Sequence, residues 1–157
     1  MLLWRAILEV SRKDTNIRYL FGPVTMGRKF SPVSRELLHR FVMRECGDEE
    51  MAGAITARNT LDLKIPREVD IIRLEEGCGN FSQLGNIVNG IEGGKRYLPV
   101  LFRHYANVGC KYAGFAEWKE LDNAVAGLTV LDFRNVSQSF LNRYYGEEGA
   151  KAFIASR

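Results

Sequence analysis

Arg18-Tyr19-Leu20-Phe21-Gly22-Pro23-Val24, with Ser31-Pro32 a few residues on, is the stretch on which the reading of the fold turns. Its aromatic and branched residues, closed by Gly-Pro, have the composition of a buried strand that ends there. Ser31 is a favoured helix N-cap type, because its hydroxyl can take an orphan backbone N–H. Pro32 suits the first helical turn, where a missing N–H costs nothing. Leu37, Leu38, Phe41 and Val42 then recur at helical spacing, and Gly47 falls just past the end.

On the N-terminal side, Leu3, Trp4, Ile7, Leu8 and Val10 give residues 2–11 the spacing of an amphipathic helix. No N-cap residue, turn or strand leads into it. On the C-terminal side, residues 48–79 are the least regular. Ala52–Ala57 continue helically, and Val69–Leu74 fit a short strand or the start of a helix. Residues 80–91 read as a helix weakened by Gly85 and Gly90, and Gly93-Gly94 ends it. Residues 98–108 read as a stronger helix, with Pro99 near its start and Gly109 at its C-terminus. Residues 111–117 and 124–133 are strands joined by 118–123, an antiparallel hairpin. Residues 137–145 and 147–155 close the chain as short helices on either side of Gly146. The expected class is mixed α/β: one domain over 1–157 in which helices pack a small sheet carrying a C-terminal hairpin. Strand 18–24 is expected beside that hairpin in the same sheet.

The 157 residues are 46% hydrophobic and 26% charged, ordinary for one globular domain. No apolar run approaches the roughly 20 residues that span a bilayer, and the N-terminus has no signal-peptide core. The expected location is the cytoplasm, with peripheral contact at the inner membrane face. Cys46, Cys78 and Cys110 lie far apart and read as free thiols, and no spacing suggests a metal site. The net charge of +3 is uneven. Residues 1–45 hold nine Lys/Arg against four acids, +5, which leaves −2 for the rest. That basic third either meets an anionic partner or forms a solvated helix face. Nucleic acid is not expected, because no basic stripe is interleaved with aromatics.

Several stretches resemble the GNAT-fold N-acyltransferases related to bacterial ornithine-lipid synthases, often labelled hemolysin-like. Residues 18–24 followed by Phe30-Ser31-Pro32-Val33-Ser34-Arg35 are similar to that family's strand and helix start. Leu2-Leu3-Trp4-Arg5-Ala6-Ile7 resembles its helix after the cofactor loop. Leu98–Tyr105, Gly109…Gly114-Phe115, Asn123…Gly127–Asp132 and Arg143–Ala150 resemble its C-terminal segments. The matches run in one order over most of the chain, and residues 46–79 match least. Two positions depart from the family pattern: Thr25-Met26-Gly27-Arg28 follows Gly-Pro-Val, and Ala126 precedes Gly127.

The resemblance implies a partial GNAT-like fold, the C-terminal half of an enzyme that moves a fatty acyl group from acyl-carrier protein or acyl-CoA to a lipid-precursor amine. Such chemistry must take a proton from the amine, polarise the thioester carbonyl and protonate the leaving thiolate. The family's Gln/Arg-x-x-Gly-x-Gly/Ala turn, which holds the donor pyrophosphate at a helix N-terminus, is expected upstream of Met1. The nearest internal likeness, Lys111-Tyr112-Ala113-Gly114-Phe115-Ala116, has the wrong first residue and lies in a strand pattern.

Within residues 31–45 no tyrosine stands where many GNAT enzymes place their acid, and Ser31 and Ser34 are the only hydroxyls. Ser31 is accounted for as a cap, so Ser34 is the catalytic candidate there, alongside His104 and Asp132. His39 reads as packed or solvated. Arg28 and Lys29 are the candidates for holding a donor or headgroup phosphate. The partners in view are acyl-carrier protein or an anionic lipid, and a second copy of the chain joined near residues 1–25. The second copy would cover Tyr19, Phe21 and Val24 at an open sheet edge, unless the 48–79 insert folds over the gap. Two other readings stand beside the enzyme: a non-catalytic lipid- or protein-binding module, and a subunit completed by another chain.

Overall fold

The structure, a computed structural model, describes residues 2–156 without the side chains of Leu2 and Leu3, so Leu3's expected place on the apolar face lies outside the described residues. The chain runs α1 (Leu2–Lys13), β1 (Tyr19–Met26), α2 (Pro32–Cys46), α3 (Glu49–Ala54), α4 (Ile71–Glu76), α5 (Phe81–Ile91), α6 (Val100–Val108), β2 (Lys111–Trp118), β3 (Ala124–Asp132) and α7 (Gln138–Ala155). The class is mixed α/β. The three strands form one sheet in the order β1-β3-β2, and both pairings are antiparallel. Among the described residues the single parallel contact is an isolated bridge between Gly47 and Tyr112.

Most helix ends follow the local signals. Ser31 accepts from the N–H of Ser34, Asp48 from Met51, Asp70 from Arg73 and Asn80 from Ser82 and Gln83. Each cap satisfies a donor that the first turn leaves open. Asp70 thereby turns the ambiguous 69–74 stretch into a helix. Gly109 ends α6 at φ 103. A Cβ there would stand 2.8 Å from the Asn135 carbonyl, so glycine is required twice over. The closing helices run on as α7 with a break at Gly146, φ 69 and ψ 177.

Gly22-Pro23 does not end β1, which continues two residues beyond Val24 to Met26. The reason lies in the hydrogen-bond phase. Phe133 N–H donates to Arg18 O at 2.9 Å, so residues 20, 22, 24 and 26 bond β3, and residues 19, 21, 23 and 25 turn their backbone groups to the outer edge. Proline at 23 therefore costs no ladder bond.

The same alternation sorts the side chains. Val24 and Met26 point inward to α2, α5 and α6, in a core with Leu37, Phe41, Leu84, Phe102 and Tyr112. Leu8, Val108, Leu131, Phe133, Leu141 and Phe153 form a second core under α1 and α7. Full burial of each such side chain contributes about 1.5–3 kcal/mol. Tyr19 and Phe21 are exposed, and Phe21 keeps 73% of its surface in solvent. Val24, expected to share that exposure, is instead buried, because it faces the opposite side of the sheet. The insert packs α3 on β2 and α4 on α2, its α3 residues share a cavity with Arg18 and Tyr19, and Phe21 stays exposed.

Candidate functional site

The outer edge of β1 has no strand beside it among the described residues. Its free groups are the N–H of residues 19, 21 and 25 and the C=O of 19, 21, 23 and 25, by the phase set at Arg18. Behind this edge lies a cleft of about 190 Å³, walled by Trp4 and Ile7 of α1, Leu20 of β1, Tyr105 of α6 and Leu131 of β3. The amphipathic pattern of α1 brings Trp4 and Ile7 to the sheet. Trp4 meets Tyr105 edge-on, with ring centroids 6.0 Å apart.

The cleft presents little polarity. Thr129, beneath it, donates its hydroxyl to Gly22 O across the strands at 2.7 Å. Burial pushes the Cys110 thiol up to about 12, so it stays protonated and neutral. Gly22 leaves the wall open, since a Cβ there would meet nothing within 4 Å. The cleft thus offers an apolar surface, and the adjacent strand edge offers unpaired backbone amide groups.

The residues singled out in the sequence do not converge on one point. His104 lies nearest the cleft, half-buried among Trp4, Tyr105 and Phe140 at centroid distances of 6.0, 6.1 and 6.4 Å. Asp132 sits at the Tyr19 end of the sheet. Its carboxylate accepts from Arg18 at 3.1 Å and from Arg134 at 3.0 Å, which leaves it poorly placed to take a substrate proton. Arg28, Lys29 and Ser34 follow Met26, which pairs with Val125, while Tyr19 pairs with Asp132. Seven strand steps separate those ends, roughly 23 Å. Arg28 forms an exposed ion pair with Asp122 at 3.3 Å, and Lys29 is exposed. His39 packs on Phe115 and stands 3.5 Å from Glu36. The Lys111–Ala116 likeness is β2, with a register shift between Tyr112 and Gly114.

Ser34 is fully buried and donates to Glu92 Oε1 at 2.7 Å. The Ser31 N–H adds a second donor at 2.8 Å, and Arg96 meets the other oxygen at 3.0 Å. Burial works against ionisation of Glu92, but the donors from Ser34, Ser31 and Arg96 outweigh it and hold the carboxyl below its ordinary range. Glu92 thus ties the end of α5 to the start of α2. Sequence reading passed over it, although one signal was present: it is the only acid from Gly77 to Cys110. Trp4 and Tyr105 were also missed as cleft residues, because aromatic residues at helical spacing look like ordinary core, and Thr129 because a threonine is an ordinary strand residue. No group of three His, Cys, Asp or Glu that could hold a metal occurs among the described residues. No family model, curated protein or solved structure matches the chain.

Proposed function

We propose that the chain serves fatty acyl transfer, from acyl-CoA or acyl-carrier protein to the amine of a lipid precursor, and that the β1 cleft takes the acyl thioester. The observation that carries this reading is the pairing of a neutral apolar cleft with an open strand edge. The aliphatic chain would enter between Trp4, Ile7 and Tyr105, which exclude water from it. The amide groups of the pantetheine arm would bond the free backbone groups of residues 19–25. His104 is the titratable candidate nearest the cleft. No Gln/Arg-x-x-Gly-x-Gly/Ala turn occurs in the sequence to grip a pyrophosphate, so the nucleotide of coenzyme A adds little to binding and Arg28 and Lys29 remain its only proposed contacts.

A second reading is favoured by the engagement of Asp132 and Ser34 in structural bonds. Here the chain binds without catalysing, and a second chain, most simply a second copy, pairs along β1 and covers Phe21. Both occupants use the same edge, which makes them separable.

The test titrates hexadecanoyl-pantetheine against Trp4 fluorescence in a Trp118→Phe background, with light scattering in parallel. The acyl-transfer reading expects saturable quenching, similar affinity for the acyl-CoA, and loss of both on Gly22→Leu, which fills the cleft from an unobstructed position. Transfer to an amine, followed by thiol release, then separates enzyme from binding module. Dimerisation unaffected by acyl-pantetheine, with no quenching, would rule out the cleft as an acyl site.

A further inference from the structure

We propose that the turn between α5 and α6, with the first turn of α6, is a docking surface for an anionic phospholipid bilayer. Tyr97, Val100 and Leu101 are 76%, 67% and 49% exposed, three large apolar side chains within five residues. They stand at a turn that Gly93 and Gly94 enter with positive φ, 64° and 76°. Beside them a groove of about 410 Å³ runs between α5 and α6, with Phe81, Gly85 and Leu98 along it and Arg103 at its rim. The groove is open at Gly85, where a Cβ would meet nothing within 4 Å.

The free charge of the segment that forms this surface has one sign. From Gly77 to Cys110 the chain carries a single carboxylate, Glu92. That carboxylate is buried, and Ser34, Ser31 and Arg96 take its oxygens. Lys95 and Arg103 are exposed and have no ion-pair partner among the described residues. Exposed aliphatic groups beside a tyrosine, in a segment whose free charges are cations, match the boundary between acyl chains and anionic headgroups. The apolar groups would enter that boundary while Lys95 and Arg103 meet lipid phosphates. This surface lies outside the basic first 45 residues and shares no residue with the β1 cleft. It therefore stands or falls apart from the acyl-transfer reading.

Flotation of the 157-residue chain with phosphatidylcholine vesicles, with and without phosphatidylglycerol, tests the assignment. Binding should be about thirtyfold tighter with the anionic lipid, given two cations near the surface. A Val100→Asp/Leu101→Asp variant should lose it. Acids in the first turn of α6 suit the positive end of a helix, so the variant keeps its fold, which circular dichroism verifies. Lys95→Glu with Arg103→Glu should abolish the anionic preference. Absence of vesicle binding, equal binding to both vesicles, or undiminished binding by the folded Val100→Asp/Leu101→Asp variant would each overturn the proposal. Capture by an acidic carrier protein in place of vesicles would do the same.

Discussion

Ser34 and Glu92, 58 residues apart in the chain, share a buried hydrogen bond of 2.7 Å. The bond joins the first turn of α2 to the end of α5, and the Ser31 N–H and Arg96 complete the carboxylate's partners. Glu92→Ala would leave the Ser34 hydroxyl buried without its acceptor, and stability should fall by about 2–3 kcal/mol. The folded carboxyl titrates below its ordinary value of 4.5. Its contribution is therefore complete above that value and is lost as pH falls through the lower, folded-state value. Urea unfolding of parent and variant across acidic pH should show the difference between them shrinking at the acid end.

Asp132 accepts from both Arg18 and Arg134, so Asp132→Asn should weaken the closure of β1 on β3. We expect a loss of about 1–2 kcal/mol, moderated by the exposure of both arginines. Thermal melts measure it. An unchanged melt combined with lost acyl transfer would instead mark Asp132 as catalytic.

Gly127 faces a stack of rings in which Tyr112 and Phe115 lie 5.7 Å apart at 5°. A Cβ at 127 would come within 2.7 Å of the Phe115 ring and 3.1 Å of Tyr112. Gly127→Val should destabilise by about 1–3 kcal/mol through overpacking, readable from the urea midpoint.

The three cysteines are free, and burial raises every thiol, Cys110 to about 12. Near pH 8 a thiol reagent should therefore label the native protein slowly. Cys46, which alone retains intermediate exposure, should react first. All three should react promptly in denaturant. Fast native labelling of Cys110 would contradict its burial.

Tyr19→Lys places a charge on the open edge of β1, which should block pairing between copies without disturbing the inward-facing Val24 and Met26. The reading in which copies pair along β1 expects light scattering to give a dimer for the parent and a monomer for this variant.

Local chemistry made most of the architecture legible. The Ser31-Pro32 start of α2, the Gly109 end of α6, the break at Gly146 and the antiparallel hairpin follow from neighbours in sequence, and all are present. The place of strand 18–24 beside that hairpin also holds. The extension of β1 past Pro23 was hidden, because which edge a proline faces depends on the partner strand. The site was far less legible. Ser34 finds its acceptor 58 residues away, Asp132 is claimed by Arg18 from 114 residues away, and the cleft draws on four separate elements. Pairings of that kind arise from the fold as a whole.

The two cores have a further consequence. Tyr105 packs against both, and the sheet carries one at each end, with Leu20 and Leu131 in one and Val24 and Met26 in the other. α6 spans the two as well, with Phe102 in the core of Val24 and Val108 in that of Leu131. Two separate cores predict that hydrogen exchange releases the amides of α1 and α7 at a different free energy from those of α2 and α5. Opening of α1 would widen the cleft at its Trp4 wall. Access through that wall would then be governed by the core under α1 and α7, and the exchange of those helices would report on it.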